Sequence, residues 1–104
     1  MGMILAIALA QAADSSPPQF SSKPDEFGKC VVESAVQFAR STEAANVVVD
    51  AAIAKCRPIL ERYVMDAPPN SLASLPSAQE ETRRVLIQLA RENALVRVLE
   101  IRSQ

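Results

Sequence analysis

Histidine and tryptophan are absent from this sequence, and glycine occurs only at Gly2 and Gly28. Without histidine the chain lacks the commonest general base and the commonest metal ligand. Two glycines cannot build the glycine-rich loops that cradle phosphates, which need several. Aromatic side chains are limited to Phe20, Phe27, Phe38 and Tyr63. Neither sign of charge prevails: 11 basic against 12 acidic residues leave a net charge of −1, so the electrostatic footprint of a nucleic-acid binder is missing. No run approaches the ~20 apolar residues of a membrane span, so stable membrane insertion is not expected.

Cysteine is scarce too, at Cys30 and Cys56. Thiol oxidoreductases place two cysteines in a C-x-x-C motif near a β-α-β pattern, and neither is present. Two thiols without histidine make a poor zinc site. The sequence therefore points to no catalytic residue, no cofactor and no metal.

What it does contain is helical periodicity. Phe27, Cys30, Val31, Ser34/Ala35 and Phe38 recur at three- and four-residue spacings, while Glu26, Lys29, Glu33, Gln37 and Arg40 fall off that stripe. A second stripe runs Ala45, Val48/Val49, Ala52, Cys56, Ile59/Leu60 and Tyr63. Ser41-Thr42-Glu43 between them is N-cap chemistry. If the chain reverses about Glu43, Cys30 faces Cys56, Ser34 faces Ala52, Phe27 faces Ile59 and Phe38 faces Val48. Each cysteine then lies roughly 20 Å from the turn, at about 1.5 Å per residue. The small Ser34/Ala52 layer brings the axes close enough for a Cys30–Cys56 disulfide, which needs Cα atoms about 4.4–6.8 Å apart. Closing such a loop stabilises by roughly 3 kcal/mol, a large share of what a chain this short holds.

At 104 residues, one domain is expected. Met1–Ala10 (MGMILAIALA) followed by Gln11-Ala12 has the apolar run and small-residue positions of a secretory signal, with cleavage after Ala10 or Ala12. Only the α-amino group supplies its positive end. Residues 13–22, serine- and proline-rich, read as a flexible linker. Export and a cysteine pair agree, because disulfides persist in oxidising compartments. A periplasmic or secreted chain is expected.

The domain, 23–104, is expected to hold helices over about 24–40, 43–65 and 78–102. Ser22 and Asp25 have capping spacing at the first, and Ser77-Ala78-Gln79-Glu80 forms a capping box at the third. Pro58 should kink the second. In the connection 66–76, Leu72 and Leu75 are expected to tuck back onto the bundle. The fold class is all-α: a disulfide-closed helical hairpin plus a third helix, a small three-helix bundle.

The third helix carries two apolar stripes on opposite sides. One is Val85, Leu89 and Val96; the other is Ile87, Ala90, Ala94, Val98 and Ile101. A helix that only covers a hairpin needs one. The second suggests a further contact: the loop leucines, a second copy of the chain, or a foreign protein. Ile87, Ala94, Val98 and Ile101 are the partner-binding candidates. Glu80/Glu81 with Arg83/Arg84 reads as a solvated charge cluster.

The pattern Cys30-Val31 … Ala35 … Ala44-Ala45 … Ala51-Ala52-x-x-x-Cys56, behind a short export signal, resembles small exported helical proteins of bacteria with one cysteine pair. It covers about residues 25–66. The resemblance implies a periplasmic helical protein and brings no activity with it. The expected role is a non-catalytic interaction or structural module that meets itself or another protein through the third helix. The alternative is a periplasmic acid-stress-type chaperone, in which protonation of the 12 Asp and Glu loosens an assembly.

Overall fold

Helix α1 spans Ser22–Gln37, α2 spans Ala45–Met65 and α3 spans Pro76–Arg102, with a single 3-10 turn at Leu72–Ser74 before α3. The computed structural model describes residues 22–104, with side chains from Asp25 onward. The expected signal (1–12) and all of the expected linker except Ser22 lie outside these residues, and Ser22 is already helical. Each helix packs against the other two. The fold is a small all-α bundle with no strand among the described residues.

The hairpin is closed as the spacing requires. Cys30 and Cys56 are bonded, with Cα atoms 5.9 Å apart. Ser34 is buried beside the bridge, its Oγ 3.8 Å from the Cys56 sulfur. Around this staple α1 buries Phe27, Val31, Ala35 and Ala39, and α2 buries Val48, Val49, Ala52, Ile53, Leu60 and Val64. Most of these lie on the two stripes read from the sequence. On α2, Ile53 and Val64 are buried as well, and Ala45, Ile59 and Tyr63 are only partly so. On α1 there is one exchange. Phe38 is 57% exposed and Ala39 takes its place inside. The reason is local: α1 ends at Gln37, three residues before its expected end. The chain then tightens through Phe38 N–H to the Ala35 carbonyl (3.2 Å) and Ala39 N–H to Val36 (3.2 Å). Tightening from i+4 to i+3 bonding rotates the next side chains off the helical phase.

Helix starts also differ from the capping signals. Ala44 is the N-cap of α2 and Leu75 that of α3, and neither makes a side-chain cap bond. At α2 the Ser41 hydroxyl instead accepts the Glu43 N–H at 3.3 Å, a bond inside the turn. At α3, Pro76 occupies the first helical position, where its fixed φ suits a helix and its missing N–H costs nothing. Ser77 therefore lies inside the helix and the Ser77–Glu80 capping box does not form. Helix α2 runs through Pro58 as one element. Pro58 and Ala54 are both exposed, which puts the carbonyl that loses its donor on the solvent side.

The connection 66–75 folds onto itself. Ser71 Oγ donates to the Pro68 carbonyl at 2.7 Å, and Ser74 Oγ reaches the carbonyls of Pro69 and Ser71, each at 2.8 Å. Held this way it has no need of its leucines. Leu72 is 80% exposed and Leu75 48%, contrary to the expectation that they cover the bundle.

Candidate interaction surfaces

The partner-binding candidates on α3 are placed by the structure on its inner side. Ala94 and Val98 have no exposed surface, and Ala90 beside them is buried. Ile87 and Ile101 are half-buried and pack against the core. These four are therefore corrected from a free face to the seam between α3 and the hairpin. The physical reason is size. The disulfide and the Ser34/Ala52 layer draw α1 and α2 together, and a third helix lies closest to both along its smallest residues, Ala90 and Ala94.

The other stripe faces out. Val85 (39% exposed), Leu89 (51%), Val96 (56%) and Leu99 (51%) form a row with Glu92 in its middle. With Glu92 counted, the row has the four-and-three spacing of coiled-coil seam positions, a carboxylate taking the middle one. Gln88 Nε2 donates to the Glu92 carboxylate at 3.3 Å along the same face. Beside Leu89, a depression of about 550 Å³ opens between α1 and α3, with Phe27, Gly28, Val32, Leu86 and Asn93 in its walls.

A second apolar surface belongs to the hairpin. Near its turn, α1 and α2 part to leave a groove of about 340 Å³. Ser34 and Ala52 form its floor, Phe38 and Val47 stand at its rim, and Glu43 and Lys55 mark it in charge. No α3 residue lines it, so the two surfaces do not overlap. This groove is not legible in the residue pattern, because it depends on Phe38 turning outward.

Between the helices runs an ionic strap. Arg83 of α3 donates from Nε to both Glu61 oxygens of α2, at 3.1 and 3.0 Å, and reaches Glu80 at 3.4 Å. Arg57 meets Glu61 one turn away at 3.5 Å. The Arg83 hydrogen bond is the main reason that the Glu61 carboxyl titrates below its ordinary value of 4.5, against a smaller opposing effect of burial. Arg84 lowers Glu81 in the same way, and both arginines hold their protons more tightly in return. Arg91 pairs with Asp50 across α3 and α2. The Glu80/Glu81–Arg83/Arg84 cluster is thus partly a solvated face, as expected, and partly a tie between helices.

One contact was not foreseen. Arg102, in the last turn of α3, donates to the carbonyls of Ala39 (2.6 Å), Ser41 (3.2 Å) and Glu43 (2.7 Å). It thereby holds the turn joining α1 to α2 and places a cation at the C-terminal end of α1, where the helix dipole favours one. The signal available was a basic residue in a final helical turn, which is too common to single out.

Among the described residues no group of three or more Asp, Glu or Cys gathers as a metal site. No described helix is long and apolar enough to cross a membrane. Both cysteines are in the bridge. The arrangement is therefore a disulfide-closed three-helix bundle with two exposed apolar surfaces. No family model, curated protein or solved structure matches the chain.

Proposed function

We propose that the chain is an exported, non-catalytic interaction module that docks a helix of another protein on the outward face of α3. The observation that carries this reading is the exposed row Val85, Leu89, Val96 and Leu99, whose seam spacing suits a partner helix. Four exposed apolar side chains on one helix face, broken by the single charge of Glu92, are the groups a partner would cover. Export is supported by the apolar, Ala-rich start of the sequence and by the Cys30–Cys56 bridge, which belongs in an oxidising compartment. The test is a photo-crosslinking amino acid placed in living cells at Leu89, Val96 and, as a control, the exposed Lys29. A discrete adduct with one other polypeptide from Leu89 and Val96, and none from Lys29, is expected. Folded, oxidised protein that yields no adduct from either α3 position would end the reading.

The acid-activated chaperone remains a second reading because of the Glu61–Arg83 strap. Protonating Glu61 would remove one of the ties between α3 and α2, the Arg91–Asp50 pair and the buried seam remaining. Suppression of a client's aggregation at pH 3 and not at pH 7 would favour it. Equal behaviour at both values would remove it.

A further inference from the structure

We infer that the groove at the hairpin turn is the seat of a second copy of this chain, with the two α2 helices antiparallel across a two-fold axis. The inference goes beyond the α3 reading and uses a separate surface. The groove is almost wholly apolar, and its rim exposes the aromatic ring of Phe38 by 57% and Val47 by 45%. The polar groups that bound it carry opposite charge. Glu43 lies just before α2 and Lys55 lies twelve residues on, roughly 18 Å away at about 1.5 Å per residue. Neither side chain has an ion-pair partner among the described residues, although six other charged pairs are made there.

A surface with one sign at each end is its own complement when turned by 180°. An axis level with Val49 sets Glu43 of each copy opposite Lys55 of the other. The same axis sets Val47 opposite Ala51, and the N-cap Ala44 opposite Ala54, all of them exposed. Phe38 stands at the rim of the same groove that Ala51 and Ala52 line, so the rotation brings each exposed ring against the groove of the other copy. One rotation thus covers the exposed aromatic, fills the groove and pairs both unpaired charges twice. A parallel arrangement brings Glu43 against Glu43 and Lys55 against Lys55. The dimer leaves α3 uncovered and so displays two copies of its outward row, which multiplies binding to any partner that offers two sites.

Reciprocal charge exchange tests the geometry. In sedimentation equilibrium of the purified, oxidised protein at low salt, a monomer–dimer equilibrium is expected. E43K alone and K55E alone each oppose like charges at both ends and should raise the dissociation constant about tenfold. An equimolar mixture of E43K and K55E restores opposite charges at both ends and should return dimerisation to within about threefold of the original. F38A should leave a monomer whose helical circular dichroism is unchanged. A native protein that stays monomeric at millimolar concentration would overturn the inference. So would a dimer indifferent to both charge variants, or one dissolved by L89D and not by F38A.

Discussion

At the scale of single residues, hydrogen bonds that sequence periodicity cannot reveal hold the bundle in place. Arg102 is the leading case, since its guanidinium serves three carbonyls of the hairpin turn. Arg102→Ala should cost about 1 kcal/mol in urea denaturation, because it leaves the part-buried Ala39 carbonyl without its donor, while the exposed Ser41 and Glu43 carbonyls turn to water. Arg102→Lys should recover only part of that, as a single ammonium cannot span all three acceptors. Gly28 lies inside α1 where an added Cβ would meet nothing within 4 Å, and its φ is not positive. Gly28→Ala should therefore raise stability by about 0.5–1 kcal/mol in the same assay. Glu61 sets a pH dependence of definite sign. Its folded pKa is lowered, so its contribution is present above the ordinary value near 4.5 and is lost as the pH falls through the lowered value. Glu61→Gln should flatten the acid limb of a stability profile between pH 5 and pH 2, by comparison with the native protein. An unchanged acid limb would mean that the strap is not what titrates.

At the scale of elements, the hairpin was readable and the orientation of α3 was not. Mirror positions about Glu43 placed Cys30 against Cys56 because both cysteines sit on apolar seams, and three-residue errors at helix ends do not alter that match. For α3 the periodicity offered two rows of similar hydrophobicity on opposite sides. What decides between them is closeness of approach, a property of the assembled hairpin. Once the bridge draws α1 and α2 together, the row containing Ala90 and Ala94 goes inside, and the bulkier Leu89, Val96 and Leu99 stay out. Phe38 escaped for a comparable reason, since the wheel assumes a helix that continues past Gln37. The caps failed where Pro76 began the helix before Ser77 could cap it. The two faces of α3 respond differently to substitution. Ala94→Leu inserts bulk into a site with no exposed surface and should cost about 1–3 kcal/mol or prevent folding. Leu89→Ser, on the outward row, should change stability by no more than about 0.5 kcal/mol. Reversed magnitudes would mean that α3 is turned by half a revolution.

At the scale of the whole molecule, one covalent tie sets the distances on which both apolar surfaces depend. The bridge joins α1 to α2 at matched heights, the narrowed hairpin selects the inward row of α3, and the remaining apolar groups stay exposed. Replacing both cysteines by serine should lower stability by roughly 3 kcal/mol. Such a variant should also weaken crosslinking from Leu89, since the outward row is held in place through the seam behind it. The most direct measurement is thiol labelling of the purified protein unfolded in denaturant, first without reductant and then with it, followed by mass spectrometry. The expected result is no added label before reduction and two labels after it, with a single linked peptide pair joining Cys30 to Cys56. Two labels before reduction, or a bridge between copies in place of one within the chain, would contradict the architecture described here.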